Sequence, residues 1–194
     1  MAKIGLKYPV YAKYTENDNG TVTYSDGTNI GKAIKADINI NVSDVKQYAD
    51  DEIAEENHEF IDGTVTLETS DLSDVNRSVL LGHEIVKETG DTTGEIVSKD
   101  TDAPIYVGFG FYARKQVDGK TFWRALWFPK MIFSEPNDSM ETKGETITFG
   151  SDTITGSIRR NNDGEWKREK TFNKEADAIA WVKKKANMTG GSNG

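Results

Sequence analysis

The chain has 194 residues with 24 Lys and Arg against 32 Asp and Glu, a net charge of −8. That length suits one domain with its own core, and the acidic balance disfavours tight binding to nucleic acid or anionic membrane, both of which need a basic face. The chain has no cysteine, which excludes disulfide scaffolds, thiolate metal sites and cysteine nucleophiles together.

At the N-terminus, MAKIGLKYPVYAK lacks the continuous apolar core of a signal peptide. No apolar run in the chain approaches the roughly 20 residues that span a bilayer. The sequence therefore predicts a soluble product of a cytoplasm, and the Asn-x-Ser/Thr triplets at Asn19, Asn76 and Asn187 read as chance matches. PVYAKY and TVTYS are short strands either side of Asn17-Asp18-Asn19-Gly20, whose Asn and Gly tolerate the positive φ of a turn. Ile34, Ala36, Ile38, Ile40 and Val42 then alternate with polar residues, which predicts a strand with one buried face.

YADDEIAEENHEF, Tyr48 to Phe60, follows, with six Asp and Glu in thirteen positions. It reads as a structureless, solvated arm over about 43–62, because acidic runs are solvated and connections this long are functional or disordered. Thr64–Glu68 resumes strand character. A helix is predicted next, capped by Ser70 or Asp71, with Leu72, Val75, Val79 and Leu80 inward and Gly82 at its end. Residues 83–103 read as a weak strand or loop around Ile96-Val97.

Pro104 to Phe133 forms the centre. Asp118-Gly119 between two apolar runs predicts a tight hairpin. Ile105, Val107, Phe109 and Phe111 face one way and Tyr106, Gly108, Gly110 and Tyr112 the other. A strand apolar on both faces is central in a sandwich or covered by another subunit, and its alternating glycines predict a large group packed close. Further strands are predicted at Thr146–Phe149, Thr153–Arg160 and Trp166–Phe172, with a turn at Asn161–Gly164. A second helix is predicted from Lys174 to Ala186, capped by Asn173, with Ala176, Ile179, Ala180 and Val182 inward and Lys183–Lys185 at the negative end of its dipole. The sum is a mainly β fold, a β-sandwich or partly closed barrel with one or two flanking helices, in one domain over 1–187, followed by a flexible segment at 188–194.

Chemical motifs are weak. Asp50, Asp51, Glu52, Glu55, Glu56 and Glu59 lack the regular spacing and central glycine of a calcium loop. His58 and Glu59 are neighbours that a strand would point to opposite faces, and His83 follows a helix-ending glycine, where a cation is favourable. Gly119-Lys120-Thr121 looks like the end of a phosphate loop, but the required earlier glycine is Arg114 and a strand follows. Phe122, Trp123, Trp127 and Phe128 suit a core or interface, with sugar stacking as the rival use.

The runs IGLKYPVYAKY and GTNIGKAIKADINI, the acidic stretch, GTVTLETSDLSDVNRSVLLG and PIYVGFGFYARKQVDGKTFWRALWFPKMIF together resemble phage major tail proteins of the phi13 type, from about Ile4 to Ala186. The resemblance implies a tail tube protein of siphophages that infect Gram-positive bacteria. Its expected fold is a β-sandwich or barrel with a flanking helix. Its expected assembly is six subunits to a ring, with rings stacked into a tube through which DNA leaves the capsid. It implies the virion tail as location and partners in further copies of itself, the tail-tip initiator, the tape measure protein and the tail terminator. DNA would pass without specific binding, and no cofactor, metal or catalysis is implied. On this reading Tyr48, Ile53, Phe60 and Ile61 anchor the arm on a neighbouring subunit, the arm's carboxylates stay in water, and Tyr106, Gly108, Gly110 and Tyr112 form a subunit interface. The rivals are a monomeric glycan-binding sandwich using exposed Trp123 and Trp127, and a hydrolase with two carboxyls about 5–10 Å apart.

Overall fold

The computed structural model describes residues 2–49, 52–90, 94–136 and 151–188. The strand predicted at 146–149 lies outside them, as does the C-terminus from 189 onward. Among the described residues ten strands and two helices follow in chain order: β1 (Ala2–Glu16), β2 (Val22–Asn29), β3 (Ala33–Ala49), β4 (Glu52–Thr69), α1 (Asp74–Leu81), β5 (Glu84–Val86), β6 (Glu95–Val97), β7 (Tyr106–Val117), β8 (Lys120–Ser134), β9 (Asp152–Arg159), β10 (Arg168–Phe172) and α2 (Glu175–Lys185). The fold is mainly β. One eight-stranded antiparallel sheet runs β2-β1-β7-β8-β9-β4-β3, β10 also pairs with β8, and β5 and β6 form a small second sheet. The region left as a weak strand or loop at 83–103 thus contains a short hairpin.

The large sheet divides at β8. Trp123–Trp127 of β8 pair with β10, whereas Lys130–Ser134 pair with β9 on the same side. Between them β8 carries an extra residue opposite Gly108, at Pro129-Lys130. A proline has no N–H to give a ladder, so a bulge is where it fits. The bend sends β9, β4 and β3 across the face of β1, β7 and β8. β3 comes alongside β1 without hydrogen-bonding to it, so the barrel stays open there. The Asp118-Gly119 hairpin forms as expected, with both residues at positive φ (49° and 76°).

Two apolar clusters result. The larger lies inside the curved sheet and contains Val107, Phe109, Phe111, Phe128, Met131, Phe133, Val65, Leu67 and the α1 residues Leu80 and Leu81. The smaller lies on the opposite face, where Val10, Ala12, Tyr112, Ala125 and Trp127 are covered by Ala178, Val182 and Ala186 of α2. β7 is therefore buried on both faces within one chain. Its alternating glycines serve Trp127. A Cβ at Gly108 would sit 2.3 Å from the indole and 2.5 Å from the Tyr24 ring, and one at Gly110 would sit 2.6 Å from the indole.

The helices are displaced in detail from expectation. α1 is capped by Ser73, whose hydroxyl accepts from the Asn76 N–H at 3.3 Å, rather than by Ser70 or Asp71. Val75 points to solvent. Asn76 is buried and fully used: it accepts from the Tyr11 hydroxyl and donates to the Asn29 and Ile30 carbonyls, pinning α1 to the β2–β3 connection. In α2 the first position outside the helix is Lys174 with no side-chain cap, and the buried stripe is Ala178–Val182–Ala186, leaving Ala176 and Ala180 exposed. Small residues at 176, 178 and 180 make either phase plausible from sequence; packing over Trp127 selects the second. Met188 packs against this cluster and so does not belong to a free terminal segment.

Gly108→Ala forces a methyl into the buried indole, and overpacking of this kind costs about 1–3 kcal/mol. The variant is expected to melt several degrees below the parent in a thermal scan, and an unchanged melting temperature would show that Trp127 can move aside.

Candidate functional site

The acidic stretch is where structure and expectation differ most. β3 and β4 pair from Ala33–Thr69 out to Ala49–Glu52, so a hairpin replaces the expected structureless arm. Asp50 and Asp51, between Ala49 and Glu52, lie outside the described residues. β9 pairs with β4 only over Gly63–Thr69. Beyond Asn41 and Asp62 the two strands pair, among the described residues, only with each other, over about nine residues or about 30 Å. The sequence hid this because Asp, Glu and Asn are depleted in strands and no apolar–polar alternation marks a face there.

The arm residues singled out from sequence divide accordingly. Tyr48 and Ile53 are opposite one another in the register near the tip. Phe60 is not a free anchor: it is buried, stacked on Trp166 at 4.5 Å, and its carbonyl accepts from the Arg160 guanidinium. Ile61 is the extra residue of a bulge and is 59% exposed, beside Val42 at 52%. Val42 was expected on the buried face, and the bulge between Asn41 and Val42 breaks the alternation that placed it there. Glu52, Glu55, Glu56 and Glu59 belong to β4, and Glu59, like His58, is exposed. Among the described residues no group of three His, Asp or Glu side chains is placed to hold a metal ion.

Of the proposed interface on β7, Gly108, Gly110 and Tyr112 are buried inside the chain beneath Trp127 and α2, so they offer no free surface. Tyr112 donates to Glu175, which also accepts from Lys7, and burial followed by that carboxylate pushes its phenol well up. Tyr106 alone is exposed, with the Lys130 ammonium between its ring and that of Tyr14, 4.8 and 4.9 Å from the two centroids. Trp127 is 1% exposed and Phe128 fully buried, while Phe122 and Trp123 are half-buried, so of the two tryptophans named for the sugar-binding rival only Trp123 reaches the surface.

A feature the sequence did not signal is a groove of about 530 Å³ where the barrel fails to close. Its floor is apolar, from Leu6, Ile38, Phe111 and Leu126. Its rim carries Lys35, Arg114, Lys115, Arg124 and Lys167. Glu169 answers Arg124 at 2.6 Å and Lys167 at 3.3 Å, and Asp37 answers Lys35 at 2.6 Å. Five cations against two carboxylates make a basic patch on an acidic chain. No single segment signals it, because its cations come from β3, β7, β8 and the approach to β10.

His83 forms a second polar cluster. Its Nδ1 lies 2.8 Å from Asp102 and its Nε2 2.9 Å from Glu135, which Arg77 also binds at 2.9 Å. Carboxylates only accept, so both ring nitrogens donate and the ring is an imidazolium. Asp102, then Glu135, hold His83 above its usual range, against burial. The Lys99 N–H and His83 lower Asp102; burial pushes Glu135 up, but Arg77 and His83 outweigh it and hold it below. The cluster ties the 83–103 excursion to α1 and to the end of β8.

The sign of the linkage follows. His83's contribution is full below its unfolded value of about 6.5 and is lost as pH rises through the raised folded value. The carboxylates contribute above their ordinary values near 4 and lose this as pH falls through the lowered ones. Thermal scans from pH 6 to 9 should show the parent losing stability more steeply than His83→Gln; parallel curves would mean that the ring does not titrate in this window.

No helix among the described residues is long and apolar enough to cross a membrane. Compared with models of known protein families and with curated proteins, the chain matches none.

Proposed function

We propose that this chain is a structural subunit that joins copies of itself end to end, the building block of a tube of stacked, six-membered rings in a phage tail, as the resemblance to phage major tail proteins implies. One observation supports this reading above the others: a two-stranded arm that runs on beyond β9, its strands paired, among the described residues, only with each other. Isolated two-stranded hairpins are marginal in water, so an arm of this length is stabilised by docking on something else.

A ring closes when identical head-to-tail interfaces turn by a fixed angle, and a tube grows when the stacking contact never closes. Obligate contacts of this kind bury more than about 2,000 Å². The arm's two long edges supply unpaired backbone groups for such contacts. The acidic balance fits a conduit for DNA, which binds where cations displace its counterions. A wall dominated by carboxylates offers no such hold, and screening within about 8 Å makes it a lubricant rather than a pump. The subunit performs no catalysis in this proposal and uses no cofactor. Its further partners are the tail-tip initiator, tape measure and terminator proteins.

Phe60 is part of the fold, so the test removes only the outer arm. Replacing 45–57 by an Asn-Gly turn between Asp44 and His58, which are opposite one another in the register, should leave a folded monomer. Concentrated parent protein, alone or with the tail-tip complex, should sediment as rings and polymers and show tubes in negative stain. A parent that stays monomeric under both conditions, or a deletion that still makes tubes, would overturn the proposal.

A further inference from the structure

Both halves of a self-contact lie along one strand. β3 lines the basic-rimmed groove with Ile34, Ala36 and Ile38 at its start and forms the arm at its end. From Ile38 to Ala49 is about 36 Å of extended chain. Because β3 is paired with β4 along that length, the arm cannot turn back into its own groove. Residues 44–59 carry seven carboxylates against Lys46 as the only lysine or arginine, the opposite of the groove's rim. The same stretch holds a few apolar side chains, among them Tyr48 and Ile53, and the groove's floor is apolar.

We propose that the groove bounded by β1, β7, β8 and β3 receives the acidic hairpin arm of a second copy of this chain. This rests on the tube reading and adds its receiving surface. Donor and acceptor are different patches, so the contact is head-to-tail and leaves a free donor and a free acceptor for the next copy at each step. Because the donor lies at one end of β3 and the acceptor at the other, successive copies are spaced by about the length of the strand between them, about 36 Å. Arg114 and Lys115 are the rim cations with no ion pair among the described residues, and they are the ones the incoming carboxylates meet. The apolar floor then leaves water as the carboxylates find cations, which gives the contact both affinity and register.

The absence of cysteine makes the test clean. Ile53→Cys in the arm and Ala113→Cys in the groove are placed on separate copies of the full-length protein, mixed, and treated with a short bis-maleimide. The mixture should give a cross-linked dimer on a denaturing gel at least tenfold more abundant than a control pair of Ile53→Cys with Lys87→Cys. Both cysteines on one chain should give a ladder. In parallel, Arg114→Glu with Lys115→Glu should lower assembly at least tenfold, and mixing it with Glu55→Lys, Glu56→Lys protein should restore the contact. Tubes that form without cross-linking above the control would overturn the groove assignment and leave the tube reading standing. Cross-linking without tubes would uphold the groove and overturn the tube. Neither cross-links nor tubes would overturn both.

Discussion

The structure depends on a mismatch of lengths. β4 runs for 18 residues, yet its inner neighbour β9 has 8 and pairs with only part of it. A strand that outruns its sheet must either fray or take a partner with it, and β3 goes with it to the end. Backbone groups facing each other across the arm are satisfied, while its two outer edges have no strand partner among the described residues. The arm is thus a two-stranded ribbon, a form that is marginal in water by itself and opens locally more readily than a sheet interior.

The body supports this because it is rigid where the arm is rooted. Phe60 stacks on Trp166 with the Arg160 guanidinium over its ring, so the ribbon leaves the sheet from a fixed point. On the far side, Trp127 is seated on Gly108 and Gly110 and roofed by α2, which seals the second face of β7 within the chain. With that face closed, the open seam between β1 and β3 is the site where apolar floor and cationic rim meet. A preformed hairpin also changes the energetics of docking. A structureless arm would lose about 1–2 kcal/mol of backbone entropy per residue on ordering, and a paired ribbon has already met much of that cost.

Much of the fold was legible. The mainly β class, the Asp118-Gly119 hairpin, the core alternation in β7 and the close approach implied by its glycines all follow from side-chain period and turn chemistry. What roofs Trp127 over those glycines was not legible, because β7 and β8 are distant in sequence from α2 and an apolar face looks the same under a helix or under another subunit. Helix phase was ambiguous for the same kind of reason: Ala176, Ala178 and Ala180 are interchangeable until Trp127 is placed beneath them. In the candidate site, sequence located the acidic stretch and its bounds but not its form. Strand patterns are read from the alternation of apolar and polar residues, and the arm's run of carboxylates carries none. The groove was invisible, since its cations are scattered over four segments and only the curl of the sheet gathers them.

The central claim is that the arm exists to be covered by another copy. Backbone hydrogen exchange, followed residue by residue in dilute and in concentrated protein, reads this directly. The account predicts that amides of 41–49 and 52–62 exchange quickly when dilute and become strongly protected on concentration, together with those of β7 beside Arg114 and Lys115. Arm amides that exchange equally fast at both concentrations, while polymers form, would contradict it.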